Sequence, residues 1–169
     1  YDAIGVEPSQ ALAKFGIDKG LNIIHGNLDD LNANHQFDFI SLVDVIEHVK
    51  TPSELLKKSY DLLKSGGIML IVTPRKDSFF KNILGFKWWH YRLAHVGYFS
   101  RMNLIDLCKK NKLDYIDDFS PSWYFPLNYI LNRLLVYVPF TSNIKVKVFR
   151  NYCIKLNLRD SIALIVKKR

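Results

Sequence analysis

FDFISLVDVIEHVKTPSELLKKSYDLLKSGGIMLIVTP, residues Phe37–Pro74, is the stretch that decides the fold. It contains two short apolar runs, Phe39–Val43 and Ile68–Val72, which are typical of strands covered on both faces. A capping-box pattern with Pro at the first helical position predicts a helix over 53–64, and Gly66-Gly67 is expected to end it. Ligands bind beyond the carboxyl ends of parallel strands joined in this way, so we expect a site at that edge.

An acidic cluster with a histidine follows the first of these strands directly. Asp44, Glu47 and His48 are spaced so that one helical turn brings their side chains to one face. Three interpretations stay open. His48 is a general base, because imidazole titrates in the useful pH range. The cluster instead holds a divalent ion, with His95 as an available further ligand. In the third interpretation, Glu47 and His48 orient the following loop through hydrogen bonds.

The alternation of short apolar runs with helical stripes continues on both sides and predicts one α/β domain. The predicted strands are 3–6, 21–25, 38–43, 68–73, 113–119 and 158–167, the last of them antiparallel. The predicted helices are 9–15, 53–64, 100–111, 126–137 and 143–156. Residues 75–100, with short helical pieces, and residues 121–157 interrupt this alternation, and we expect them to be lid or substrate-side insertions.

Composition restricts the class of protein. The 169 residues are 49% hydrophobic, which suits one globular domain with a sizeable core. No apolar run is long enough to span a membrane. Cys108 and Cys153 lie in apolar stretches of helical pattern, without the spacing of metal ligands, which predicts structural thiols in a reducing, cytoplasmic compartment.

The net charge of +8 is unevenly distributed. Residues 1–74 hold 6 Lys or Arg against 10 Asp or Glu, residues 75–101 hold 6 against 1, and residues 140–169 hold 8 against 1. An anionic acceptor or a lipid head group explains the basic segments, and so does a solvated basic surface. Six aromatic residues lie among the basic ones between 79 and 91, so a substrate lid is favoured, peripheral membrane contact is an alternative, and nucleic acid is disfavoured.

The unit 37–74 resembles the middle of class I S-adenosylmethionine-dependent methyltransferases, particularly the small stand-alone branch (types 11, 12 and 23) with "EH" after strand four. Three further stretches resemble the family in the right order: Gly5–Ser9 at the end of strand two, His25–Leu31 at the end of strand three, and His95–Ser100 before the last helix. The resemblance implies a Rossmann-like three-layer sandwich and S-adenosylmethionine as cofactor.

The resemblance also implies roles for individual residues. Glu7 would bind the ribose hydroxyls, Asn27 would face the adenine amino group where the family has Asp, and Leu28 would contact the ring. Asp44 would run beside the methionine portion of the cofactor.

Further roles concern the acceptor. His48 and His95 would be the catalytic residues. Some quinone-pathway and small-RNA methyltransferases of the family carry E-x-x-E-H as a metal site, which corresponds here to Asp44, Glu47 and His48.

The family's first strand and glycine-rich loop have no counterpart, because the 8 glycines include no G-x-G. We therefore expect residues 1–169 to be the C-terminal portion of a single methyltransferase domain, active only within the full-length protein. The family strand order is 3-2-1-4-5-7-6, so a missing strand one would leave two unpaired edges inside the sheet. Self-association or a rearranged N-terminal portion is expected to repair this defect.

The function expected is methyl transfer to an oxygen, or else a nitrogen, of a small-molecule acceptor that is anionic or resembles a glycan or lipid. One alternative is a catalytically incompetent domain that binds partners. The other is a metal-assisted O-methyltransferase of the quinone-precursor or RNA type. A nicotinamide-dependent enzyme is disfavoured by the cluster at 44–48 and by the antiparallel last strand.

Overall fold

The computed structural model describes residues 2–31, 35–135 and 151–169 as alternating strands and helices. The strands are β1 (Gly5–Glu7), β2 (Ile23–His25), β3 (Phe37–Val43), β4 (Leu63–Pro74), β5 (Leu113–Phe119), β6 (Trp123–Pro126), β7 (Cys153–Leu156) and β8 (Ser161–Lys168). The helices are α1 (Gln10–Ile17), α2 (Pro52–Leu62), α3 (Phe79–Leu84), α4 (Arg101–Lys110) and α5 (Leu127–Leu135). The expected α/β class is confirmed.

A four-stranded sheet forms the centre of the molecule, in the order β3-β4-β8-β5. β3 and β4 are parallel, whereas β8 runs antiparallel to both β4 and β5. This is the order 4-5-7-6 that the resemblance implied. Apolar side chains from the sheet, α2 and α4 pack into one core, among them Leu42, Leu56, Ile71, Leu104 and Leu164.

β1 and β2 form a separate parallel pair. Within the described part of the chain, β1 is hydrogen-bonded only to β2, and β3 only to β4. Direct pairing of strand two with strand four, one of the repairs expected above, is therefore not seen there. An ion pair of 2.7 Å between Lys58 on α2 and Asp29 links the two parts. Self-association stays a prediction.

The junction of α2 and β4 corrects one expectation. The helix ends at Leu62, before Gly66-Gly67, because β4 begins at once and Lys168 of β8 donates to the carbonyls of Tyr60 and Leu63 at 2.7 and 2.6 Å. The glycines instead form an irregularity within β4, where the register with β3 shifts. Gly66 has a φ of 76°, and a Cβ at Gly67 would lie 2.9 Å from the carbonyl of Lys64. Glycine is required there by the bulge, not by a helix cap.

The last part of the chain differs most from expectation. Residues 153–156 form β7, paired antiparallel with β6, where the sequence predicted a helix over 143–156. Residues 143–150 of that prediction lie outside the described residues, as do 136–137 of the helix whose described part is α5. Periodicity within 143–156 could not reveal a partner strand about thirty residues away.

The two cysteines differ. Cys108 is buried on α4, and burial raises the pKa of its thiol to about 12, which supports a structural role. Cys153 is exposed on β7, so its expected place in an apolar helix is wrong. None of the described helices is long and apolar enough to cross a membrane.

Candidate active site

A cavity of about 500 Å³ opens beyond the carboxyl ends of β3 and β4. The cluster that follows β3 lies on one side of it. Most of the remaining wall comes from the two segments predicted to be insertions, and it is largely apolar, with five aromatic side chains. The aromatic lining residues are Trp89, Trp123, Tyr124, Phe125 and Tyr129. This combination of an apolar enclosure with a few convergent polar groups is that of a small-molecule site.

Asp44 turns the chain sharply at the end of β3. Its φ is 52°, in the left-handed region that few residues other than glycine adopt, and its N–H donates to the carbonyl of Val72 at 3.0 Å. A 3₁₀ turn, Ile46–His48, follows directly and places Glu47 and His48. Strained backbone of this kind concentrates at functional sites.

The side chain of Glu47 is only 1% exposed. The hydroxyl of Thr73 donates to its Oε2 at 3.0 Å, but Oε1 has no hydrogen-bond partner among the described residues. Burial raises the pKa of this carboxyl. Its backbone carbonyl accepts from the amides of Val96 and Gly97 at 2.9 and 3.0 Å, which ties the cluster to the segment carrying His95.

The two predicted catalytic histidines lie together. His48 Nδ1 is 2.8 Å from the carbonyl of Ala94, which can only accept, so Nδ1 carries a proton and the lone pair of the neutral ring is on Nε2. The ring centroids of His48 and His95 are 4.7 Å apart, edge to face. Nδ1 of His95 is buried without a hydrogen-bond partner in the described chain. Burial, and next the neighbouring His48, lower the pKa of His95 and favour its neutral form.

Glu47, His48 and His95 each offer a ligand atom, and these atoms lie within 4.8 Å of one another. The expected metal set was Asp44, Glu47 and His48. The structure brings His95 into the converging group instead of Asp44, which lines the same cavity. A buried carboxylate and two imidazoles are suitable ligands for a divalent transition metal.

Sequence reasoning missed a second cluster in the cavity. Asp160, 6% exposed, accepts from Trp89 Nε1 at 2.7 Å, and its Oδ2 lies 3.0 Å from His90 Nε2. Its backbone carbonyl accepts from the amide of Arg75. One signal could have found it, because Asp160 is the one acid in residues 140–169 and stands directly before an apolar strand.

The residues expected to bind the cofactor lie at a different place. Glu7 ends β1 opposite His25 of β2, so Glu7 and Asn27 share the carboxyl edge of that pair. Glu7 Oε1 accepts from the backbone N–H of Ser9 at 2.7 Å. Asn27 is exposed, and its backbone N–H donates to the carboxylate of Asp30 at 2.7 Å. Of the cofactor residues expected, only Asp44 lines the cavity; Glu7, Asn27 and Leu28 do not.

Comparison with known proteins gives a consistent result. The profile of the methyltransferase domain family matches residues 1–117. A ubiquinone biosynthesis O-methyltransferase of Cereibacter sphaeroides is 33% identical over 124 residues, covering 64% of this chain and 50% of that protein. An uncharacterised protein of Methanocaldococcus jannaschii is 31% identical over 77 residues, covering 45% of this chain and 38% of that protein. The chain thus spans half or less of the length of these two curated relatives.

A solved structure of an S-adenosylmethionine-dependent methyltransferase from Thermotoga maritima superposes with a TM-score of 0.66. It is 21% identical and covers 98% of this chain and 72% of its own. A likeness at this identity shows the fold, which is the Rossmann-like fold of class I methyltransferases. The predicted fold is thereby confirmed.

Proposed function

The chain belongs to the methyltransferase domain family, and from this membership we propose that the protein transfers the methyl group of S-adenosylmethionine to a hydroxyl oxygen of a flat, aromatic acceptor that also carries an anionic group. The observation that carries the proposal is the hydrogen bond from His48 Nδ1 to the carbonyl of Ala94, which puts the lone pair of the neutral ring on Nε2, in a residue that lines a cavity with several aromatic side chains. The relatives named as O-methyltransferases support oxygen over nitrogen. They also support S-adenosylmethionine as the cofactor.

When bound, S-adenosylmethionine supplies a sulfonium methyl group that is already activated toward a nucleophile. His48 Nε2 accepts the proton of the acceptor hydroxyl as that oxygen forms its bond to carbon. The carbonyl of Ala94 holds Nδ1–H, so it orients the ring and stabilises the imidazolium that results. The aromatic wall aligns the acceptor and keeps water from the reacting atoms.

The residues that line the cavity favour a planar acceptor that carries an anionic group. Aromatic side chains on one wall favour a planar molecule that stacks or packs edge to face. Arg92 and Arg133 line the same cavity, and they favour an acceptor that also carries an anionic group. A phenolic acid combines a planar ring, a hydroxyl and a carboxylate.

Glu7 and Asn27, at the carboxyl edge of the β1-β2 pair, offer oxygen acceptors suited to the ribose and adenine of the cofactor. Glu7 is a half-buried carboxylate at the end of a parallel strand, and its Oε2 is not engaged by the Ser9 amide. A carboxylate so placed can accept from ribose hydroxyls. Asn27 lies at the neighbouring strand end and offers an amide oxygen to an adenine amino group.

The test is a two-stage measurement on the full-length protein. Calorimetric titration with S-adenosylhomocysteine reports the cofactor site, and formation of S-adenosylhomocysteine from S-adenosylmethionine reports turnover with a panel of phenolic acids and matched anilines. We expect cofactor binding, turnover of phenols, and a loss of about 10²-fold or more in kcat in His48→Gln. Turnover of anilines alone would refute oxygen transfer, and absence of cofactor binding would favour the partner-binding alternative.

A second candidate is the metal-assisted form of the same reaction. It is supported by two buried atoms that have no hydrogen-bond partner in the described part of the chain, Glu47 Oε1 and His95 Nδ1. They belong to residues whose ligand atoms converge with a ring nitrogen of His48. These three residues would hold a divalent ion, which supplies Lewis acidity that lowers the pKa of a bound hydroxyl. Thr73 and Ala94 would orient Glu47 and His48 through the hydrogen bonds already described.

The two mechanisms give His48 different roles, so a chelator separates them. With a metal, treatment with EDTA abolishes turnover, and Mn²⁺ or Zn²⁺ restores it. With His48 as the base, turnover persists in EDTA and does not respond to added metal.

A further inference from the structure

An apolar surface lies outside the cavity, on the segment between β4 and α4. We define this outer apolar surface by four side chains, Phe79, Ile83, Phe86 and Leu93, whose exposed fractions are 68%, 63%, 98% and 106%. Scattered exposed apolar residues are ordinary, but four large ones within fifteen residues indicate an interaction surface.

Helix α3 shows why these side chains are exposed. Phe80 packs toward the molecule, with its ring centroid 5.6 Å from that of Trp89, and Leu84, one turn later, is half-buried. Phe79 and Ile83 are also one turn apart, on a side that the rest of the described chain leaves exposed. The helix is therefore apolar on two sides, and the protein covers only one of them.

The same division continues after the helix. Ala94 and His95 line the cavity, whereas Leu93 and Val96, which flank them, are exposed. One short stretch of chain thus forms both the wall of the acceptor cavity and the apolar outside of the molecule.

The positive charge of residues 75–101 favours an anionic partner over a second copy of the chain. Residues 75–101 contain six Lys or Arg and one Asp, a net charge of +5, and that Asp77 is paired with Arg75 at 2.9 Å. Apolar side chains among Lys and Arg are suited to the interface of an anionic bilayer, where the rings enter the head-group layer and the cations contact phosphate. A second copy would bring the same positive charge, which opposes docking of two such surfaces.

We propose that the outer apolar surface docks the protein on an anionic lipid bilayer. Phe86 and Leu93, the most exposed of the four, insert at the head-group level, together with the outward side of α3. Lys81, on α3 itself, contacts the lipid phosphates. Docking in this way places the cavity wall at 94–95 beside the bilayer. The docking does not depend on the activity proposed above, since it rests on the outer surface alone.

Vesicle co-sedimentation tests this proposal without any measurement of activity. The protein is mixed with vesicles of phosphatidylcholine alone, or of three parts phosphatidylcholine to one part phosphatidylglycerol, at low and high salt. We expect binding to the anionic vesicles that weakens with salt. The double variant Phe86→Ser/Leu93→Ser is expected to bind about tenfold more weakly or worse. Leu12→Ser is the control, because Leu12 is a similarly exposed apolar residue, 60% exposed, on α1 and not one of the four that define the outer apolar surface.

Each outcome decides the proposal. Failure of the wild-type protein to bind anionic vesicles overturns it, and so does equal binding by the double variant. Because both side chains are exposed, the double variant is expected to melt within a few degrees of wild type, which a thermal scan checks. Lys81→Gln tests the electrostatic contribution separately, and it should weaken binding to anionic vesicles at low salt more than at high salt. If the double variant changes only the oligomeric state measured by light scattering, the partner is a second copy and the bilayer is excluded.

Discussion

Replacing Glu47 by glutamine should stabilise the protein at high pH in the presence of a chelator. Glu47 Oε1 is buried without a hydrogen-bond partner in the described chain, and burial raises the pKa of the carboxyl. The folded protein therefore binds this proton more tightly than the unfolded chain does. The stabilising contribution is present below the ordinary pKa of 4.5 and is lost as pH rises through the raised value.

The magnitude follows from the unpaired oxygen. A buried polar atom without a partner costs about 1–3 kcal/mol, and glutamine keeps the hydrogen bond from Thr73 while removing the charge. Its amide also lacks a partner there, so we expect a net gain of about 1 kcal/mol, or roughly 2–4 °C in Tm for a domain of this size. The gain should shrink on acidification and vanish near pH 4.5.

Divalent cation should reverse the ranking. An ion bound only by the folded protein stabilises it by about 2.7 kcal/mol at a hundredfold excess over Kd, which is roughly 5–10 °C here. The Tm of the wild-type protein should rise by this amount with Mn²⁺ or Zn²⁺, and the Tm of Glu47→Gln should rise far less. Differential scanning fluorimetry in EDTA and in metal, at several pH values, measures both effects.

Glu54→Gln is the matched control. Glu54 also accepts a threonine hydroxyl, that of Thr51 at 2.9 Å, but it is exposed. Its substitution should leave both the Tm at high pH and the response to metal unchanged. If Glu47→Gln melts below wild type in EDTA at high pH, Glu47 has a stabilising partner, and the reasoning from an unpaired buried carboxylate is wrong.

Four further predictions concern other parts of the molecule. Glu7→Ala in the full-length protein should weaken S-adenosylhomocysteine binding by about 1–3 kcal/mol in calorimetry, through lost charge-assisted hydrogen bonds; unchanged affinity would remove Glu7 from the ribose site. Cys153 should react quickly with a maleimide while Cys108 reacts only on unfolding, because one is exposed and burial raises the pKa of the other; peptide mass spectrometry distinguishes them. Asp118→Asn should lower the Tm at neutral pH, since Arg101 lowers the pKa of Asp118 in the folded protein; the difference should begin to shrink near pH 3.8, where the unfolded chain takes up the proton, and should vanish only below the lowered pKa of the folded protein. Sedimentation velocity should show self-association, because β1 and β3 each have one edge without a described neighbour; a monomer at all concentrations contradicts it.

The sequence predicted what depends on local pattern. The segment 37–74 showed its two strands and one helix because apolar runs, a capping box and glycines are short-range signals, and each element lies within a few residues of its predicted bounds. The cluster of Asp44, Glu47 and His48 could be placed because a strand end and the turn that follows it fix where these three side chains go. His48 and His95 were both predicted to belong to the site, and the structure places their ring centroids 4.7 Å apart.

What depends on distant contacts was not predictable. β7 exists because β6 pairs with it, and no pattern within 153–156 encodes that partner. The role of Gly66-Gly67 depended on how β4 pairs with β3, so glycine at a helix end was taken for a cap. Asp160 comes into the cavity only because β8 lies next to β4, which brings it to His90, seventy residues earlier.

Because the backbone at Asp44 is left-handed, the residue type found at position 44 in related proteins would show whether the carboxylate is needed for function. Glycine would relieve about 1–2 kcal/mol of steric strain there and lose about 0.5–1 kcal/mol in unfolded-chain entropy, so the fold gains little by keeping a carboxylate. In related proteins where the carboxylate has no function, mutation should therefore exchange Asp, Asn and Gly freely at position 44. An acid that persists across a lineage, despite this near-neutral alternative, would show that selection acts on the carboxylate itself.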